Sequence, residues 1–192
     1  WVACPDSGRL ALISQDRGHH WVQADFQCSA SSMRTVVNEP TLKAVLDGDR
    51  IRVGDFTEGH VVWTYAPVDG PESLIAGAGS LVVVGRSEIA LSTDSGDSFR
   101  VVPRDLHLIR VRDGLVTEKG QIILVGDAEI GDIPIAVSHD FGDSWVRPIN
   151  WPGRDPRLDF LARARDGRFA VSKSTGRANV FIGDSLGMHW TE

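Results

Sequence analysis

Tyrosine occurs once, cysteine twice and methionine twice in this chain, and aromatics make up only 7% of its 192 residues. Two cysteines cannot build a disulfide framework; Cys4 and Cys28 fit one disulfide in an oxidising compartment or two ordinary buried thiols. No apolar run approaches the roughly 20 residues that a membrane helix needs, and no amphipathic basic helix is present, so membrane insertion is not expected. Lysine and arginine number 20 against 26 acidic residues, a net charge of −6. Phosphate backbones select basic surfaces, so nucleic acid is not an expected partner. Sustained helical periodicity with caps is also missing, which argues against a helical core. Trp1 is preceded by neither an initiator Met nor a signal-peptide pattern, so an upstream segment was removed or the sequence starts inside a longer protein.

Glycine, by contrast, occurs 20 times and proline 9 times, between short apolar runs. That combination suits an all-β chain with many turns. A hydrophobic content of 42% and a charged content of 24% are ordinary for a globular protein. The length suffices for a sizeable core in one domain or in part of a larger one. The organising stretch is Ser138-His139-Asp140-Phe141-Gly142-Asp143-Ser144-Trp145. Ile135-Ala136-Val137 leads in and Val146 leads out, as strands do. Asp140 can accept from backbone N–H groups of its own turn, Gly142 can take positive φ, and Ser138 and Trp145 face each other across the hairpin.

The chain repeats it. Ser92-Thr93-Asp94-Ser95-Gly96-Asp97-Ser98-Phe99 has Phe for Trp, and Ser14-Gln15-Asp16-Arg17-Gly18-His19-His20-Trp21 is a third copy. Gly183-Asp184-Ser185-Leu186-Gly187-Met188-His189-Trp190 is an eroded fourth, with Ser185 aligned to the Asp. The pattern Ser-x-Asp-x-Gly-x-x-Trp resembles the Asp box, or BNR repeat, of the sialidase superfamily. The chain looks like its non-enzymatic branch, similar to photosystem II assembly-factor and sortilin-type propellers. The resemblance implies that the box is scaffold, a turn on the blade edge away from the functional mouth. Ser14, Asp16, Gly18, Trp21, Ser92, Asp94, Gly96, Phe99, Ser138, Asp140, Gly142, Trp145, Gly187 and Trp190 are then structural. Neither a metal site nor a cofactor is expected: Asp94/Asp97 and Asp140/Asp143 lack the alternating oxygen ligands of a calcium loop.

Short strands separated by turn signals tile the rest. A drifted box at Asp55 gives Asp-equivalent positions at 16, 55, 94, 140 and 185, spaced by 39, 39, 46 and 45. A four-strand unit repeating at this period predicts an all-β fold, a β-propeller of four-stranded antiparallel blades that bury their apolar faces on one another. The expected organisation is a single domain over 1–192 with repeats at 1–28, 29–70, 71–103, 104–150 and 151–192. Nineteen strands are readable where five blades need twenty. The ring is therefore completed by another segment or chain, or is part of a larger one. Turns are placed at Asp113-Gly114 and Asp166-Gly167, and a full outgoing strand at Trp145-Val146.

Candidate chemistry is thin on the acidic side. A sialidase would be expected to carry an Arg-Ile-Pro segment, three substrate-gripping arginines and a Tyr–Glu nucleophile pair. Arg-Ile-Pro is missing, and the single Tyr65 sits on an outgoing strand. Glu39, Glu72, Asp105 and Asp159 precede innermost strands and are candidates for a glycosidase acid pair, or are solvated loop residues. Asp127, Glu129 and Asp132 form an acidic loop. The basic side carries the ligand-binding candidates. Arg110 and Arg112 alternate on one strand, with Arg163 and Arg165 one blade on. Period-two spacing would let all four converge on the channel rim and grip an anionic group, unless neighbours such as Asp113 and Asp166 neutralise them.

These readings favour a non-catalytic binding or structural module for a protein, peptide or glycan, with an anionic group preferred. A sialidase-like glycoside hydrolase and a phage or viral receptor-binding component are the alternatives. An extracellular, periplasmic or virion-associated setting is favoured over the cytoplasm.

Overall fold

The computed structural model describes residues 2–3, 10–13, 20, 22–27, 33–38, 43–47, 49–55, 60–173 and 179–192. Strands are the only regular elements among them, and all neighbouring strands are antiparallel meanders, as the turn-rich sequence predicts. The first sheet holds β1 (Val2–Ala3), β2 (Leu10–Ile13) and β3 (Val22–Gln27). The second holds β4 (Met33–Asn38), β5 (Lys43–Asp47), β6 (Arg50–Asp55) and β7 (His60–Tyr65). The third holds β8 (Ser73–Gly77), β9 (Ser80–Val84), β10 (Glu88–Ser92) and β11 (Arg100–Pro103). The fourth holds β12 (Leu108–Val116), β13 (Ile122–Ala128) and β14 (Ile135–Ser138). The fifth holds β15 (Phe160–Arg163), β16 (Phe169–Ser172), β17 (Val180–Gly183) and β18 (Trp190–Thr191). The fold is all-β, built of propeller blades.

The chain forms two compact units, Trp1–Val101 and Val102–Glu192. In the first, β4 and β5 lie beside β8. Ala44, Leu46 and Ile51 of the second sheet close with Leu74, Leu81, Val83 and Ala90 of the third into one apolar core. In the second unit β12 lies beside β15. Ile123, Val125, Ile135 and Val137 of the fourth sheet pack on Phe169, Val171, Phe181 and Trp190 of the fifth. Face-to-face burial of two sheets is what a lone four-stranded sheet cannot supply for itself. The run Leu81–Val84 is fully buried, as a continuous apolar strand requires.

Three sequence expectations change here. Asp113-Gly114 is not a turn; it lies inside β12, which runs to Val116. The turn comes at Thr117–Gln121, where the Thr117 N–H donates to Gln121 O (2.9 Å) and the Thr117 hydroxyl accepts from Gln121 N (3.2 Å). Asp113 is taken up otherwise: its carboxylate accepts from Gly114 N and, from the next sheet, Leu161 N, both at 2.8 Å. The outgoing strand at Trp145-Val146 shrinks to one bridge, Val137 with Val146. The chain then turns away, so that Ile149 N donates to Met188 O (2.9 Å) in the next blade. The third change concerns Arg165. β15 ends at Arg163, which puts Arg165 in the following turn.

Candidate functional site

Two ends of the second unit differ in construction. At one end lie the turns after β12, β14, β15 and β17. In the turn after β14 the Ser138 hydroxyl donates to Asp140 Oδ1 (2.8 Å) and accepts from Gly142 N (2.7 Å). Asp140 in turn accepts from Ser144 N (2.9 Å) and the Ser144 hydroxyl (2.6 Å). The turn after β10 repeats this bond for bond: Ser92 with Asp94 (2.7 Å) and Gly96 N (2.8 Å), then Asp94 with Ser98 N (3.0 Å) and the Ser98 hydroxyl (2.5 Å). Gly96 and Gly142 take φ of +97° and +85°, where a Cβ would be strained. Hydrogen bonds to the ionised form pull both acids down, Asp140 to about 2 and Asp94 further.

The fourth copy holds a surprise. Ser185, aligned to the acid, does not act as one. Asp184 accepts from Leu186 N (3.1 Å) and Met188 N (2.9 Å) instead, with Gly187 at φ +69°. The four-residue offset from acid to N–H donor is the signal that the Ser-x-Asp alignment overlooked. Trp190 is buried in the core with its indole N–H donating to Gly187 O (2.8 Å). Phe99 packs against the core of its own unit. Ser14, Asp16, Gly18, Trp21, Cys4, Cys28 and Glu39 lie outside the described residues.

The opposite end carries charge. β12 begins there with bulges at Ile109 and Arg112, which break the period-two alternation that would have put Arg110 and Arg112 on one face. The backbone of β13 presses against the second bulge: a Cβ on Gly126 would lie 1.8 Å from Arg110 O. Arg112 grips Asp127 with two bonds, Nε to Oδ1 (2.7 Å) and Nη2 to Oδ2 (2.8 Å), and lies 3.5 Å from Asp159. That ion pair raises the Arg112 pKa still further. Arg157 closes the circuit on Asp159 (2.8 Å) and faces Asp127 at 3.9 Å. Asp159 is only 8% exposed. Two guanidiniums and two carboxylates thus satisfy each other.

The four arginines singled out by spacing therefore do not converge. Leu161 N is bonded to Asp113, so Arg110 and Arg112 lie toward the charged end of that level, whereas Arg163 and Arg165 lie beyond it toward the turn end. Asp113 and Asp166 neutralise none of them. Asp113 is bound to backbone, and Asp166 pairs with Arg168 (2.8 Å). Arg110 and Arg154 are exposed and, among the described residues, engaged by no hydrogen bond or ion pair. Of the acidic candidates, Asp132 is bound by Arg147, Asp105 lies 3.8 Å from His107, and Glu72 precedes β8 with its N–H donating to Val84 O (2.7 Å). Tyr65 ends β7, the outermost strand of the second sheet.

Beside this network runs the extended segment 151–159. Its residues Pro156 and Leu158 bond to β13, with Ala128 N donating to Pro156 O (2.7 Å) and Leu158 N to Gly126 O (2.9 Å). Arg157 and Asp159 turn to the network, while Trp151, Asp155, Pro156 and Leu158 line a cleft of about 590 Å³ that also reaches Phe181 and Arg154. Trp151 stands against Phe181 (ring centroids 4.6 Å) and edge-on to Trp190 (6.0 Å). Its indole N–H is buried without a partner. The two acids of the cleft are both engaged, Asp155 by Lys173 and Glu192 by Asn179. Sequence reading missed this cleft because segment 151–159 is not a strand and carries no repeat signal.

No family model matches the chain, and no curated protein matches it. Solved structures do. A structure of YCF48 bound to D1 peptide is similar over 97% of this chain and 60% of its own, with a TM-score of 0.63 at 15% identity. A GH74 enzyme of Niastella koreensis is similar over 95% of this chain and 28% of its own, with a TM-score of 0.63 at 14% identity. YCF48 from Cyanidioschyzon merolae is similar over 96% of this chain and 78% of its own, with a TM-score of 0.55 at 12% identity. The chain thus spans about 60% of the first of these and less than a third of the second. The likeness is one of fold, the propeller.

Proposed function

We propose that this propeller is a non-catalytic Asp-box module that docks an extended, acidic segment of a protein partner at the charged end of its second unit. One observation carries the reading. A concave cleft with Trp151, Phe181 and Leu158 in its wall is lined by Arg154, and Arg110 lies at the same end of the unit; among the described residues neither guanidinium is engaged by a hydrogen bond or ion pair. Aromatic and proline walls take an apolar side chain with little loss of conformational freedom, and arginine forks take carboxylates.

Glycosidase chemistry finds less support at the same place. It needs one carboxyl free to hold a proton and another about 5–10 Å away. Here Asp127, Asp155 and Asp159 are each tied to Arg or Lys. One solved neighbour is bound to D1 peptide, and binding of a peptide is carried over here as part of the proposal.

Selection from a displayed library of 12-residue peptides tests the reading. Enrichment of peptides combining Asp or Glu with an aromatic or leucine is expected, with affinity falling about tenfold in Arg110→Ala/Arg154→Ala and falling as salt rises. Enrichment that is indifferent to both substitutions, or no enrichment at all, overturns it.

A further inference from the structure

The ion pairs at the charged end of the second unit are not equivalent. Asp127 takes both arms of the Arg112 fork, and Asp159, nearly buried, is held by Arg112 and Arg157. Removing a guanidinium from Asp159 leaves a charge short of a partner away from water, which is strongly unfavourable. Lys173 and Asp155 are different. Their side chains are 23% and 41% exposed, and both line the cleft. An ion pair that reaches water adds little to stability and is readily exchanged. Asp155 also has a second partner, because its Oδ1 accepts from Arg157 N (3.1 Å) while its Oδ2 takes Lys173. It can release the lysine and stay bonded. An ammonium is a compact charge with three rotatable donors, so it can turn from one carboxylate to another.

We propose that Lys173 is the carboxylate receptor of the cleft, and that Asp155 is a built-in stand-in which an acidic side chain of the partner displaces. The inference rests on the docking of an acidic segment proposed above, and names the residue inside the cleft that selects for acid. Lys173 directly follows β16, and Asp159 N donates to Ser172 O (3.0 Å), so the base of the side chain is fixed by the sheet. Continuing the strand's alternation by one residue puts Lys173 on the side of Val171, whose register partner is Phe181 in the cleft wall. The ammonium thus stands at the same wall as the apolar side chains, masked until a carboxylate competes for it. Masking has a measurable effect. Apparent affinity falls in proportion to the fraction of molecules whose receptor is open, and an exposed pair holds it closed by a factor of up to about five. The contact sets a preference as well as a lower affinity, because a neutral or basic segment gains nothing by opening it.

One displayed library of 12-residue peptides, panned on the parent chain and on Asp155→Asn, Lys173→Met, their double variant and Glu129→Gln, tests this. Asp155→Asn keeps an oxygen for Arg157 N and loses the charge that holds Lys173. Acidic peptides are expected to enrich about two- to fivefold more on it than on the parent. The gain is expected to vanish in the double variant compared with Lys173→Met alone. Glu129→Gln removes an exposed acid from the same end without freeing an ammonium, and is expected to give no such gain. Lysine acetylation read by mass spectrometry follows the receptor itself. Lys173 is expected to react several-fold faster in Asp155→Asn and to be protected by an enriched peptide, with exposed Lys119 at the turn end as the constant reference. Three results overturn this inference and leave the docking reading standing: equal enrichment on the parent and Asp155→Asn, a gain that survives Lys173→Met or is matched by Glu129→Gln, or a Lys173 that the enriched peptide fails to protect. Absence of acidic enrichment on all five proteins overturns the docking reading, and this inference with it.

Discussion

Asp113 shows how one residue can be misread from sequence and still matter. Followed by glycine, it looks like a turn; in the fold it is an acceptor held between neighbouring blades, taking the N–H of Leu161 at 2.8 Å. Burial raises its pKa, and its two backbone donors only partly offset that. An acid raised in the folded state stabilises the fold when protonated and loses that advantage as pH climbs through its folded pKa, so at neutral pH the charge is a burden. Asp113→Asn removes the charge and keeps one acceptor oxygen for the two N–H groups, so relief of the buried charge is set against one lost bond and the variant is expected to stay within about 1 kcal/mol of the parent at pH 7. Asp113→Ala leaves the Leu161 N–H unsatisfied and is expected to cost about 1–3 kcal/mol. Urea titrations of the two variants separate these outcomes.

At the scale of the element, the repeat was legible and its exceptions were not. Strands of β-branched residues between Gly- and Asp-rich turns announced a propeller, because hairpin chemistry is local and written in four or five adjacent residues. In the turn after β14 the backbone acceptance by Asp140 and the positive φ of Gly142 were legible, whereas the bonds of the Ser138 and Ser144 hydroxyls to Asp140 were not. What sequence could not show was the pair of bulges in β12. A bulge depends on the partner strand, and here the requirement sits on β13, at a glycine with no turn signal around it. Gly126→Ala would place a Cβ 1.8 Å from Arg110 O. The strands must separate, and a loss of about 3 kcal/mol or more is expected, read as a Tm lower by about 6–12 °C. Losing those bulges, sequence reading also lost the arginine geometry. Arg112 was drawn beside Arg110 on one face, whereas the inserted residue turns it inward onto Asp127.

Over the whole molecule, acid should be a sharper threat than base. Asp94, Asp140 and Asp166 are all held below the ordinary carboxylate value of 3.8 by bonds to their ionised forms. An acid depressed in the folded state contributes stability that is complete above its unfolded pKa and is lost as pH falls through the folded one. Stability is therefore expected to fall steeply from about pH 4 toward pH 2, with the slope of Tm against pH in that window reduced in Asp140→Asn. Thermal scans by circular dichroism at half-unit pH steps check it.

The meander order of the sheets has a consequence for how the chain folds. Every strand pairs with its neighbour in sequence, so a sheet can zip up from hairpins in microseconds to milliseconds, with little loop entropy to overcome. Among the described residues, distant parts of the chain are joined by docking one sheet on the next and by the return of segment 151–159 onto β13. During synthesis, each blade can then form soon after its last strand clears the ribosome and wait, one face wet, for the blade translated after it.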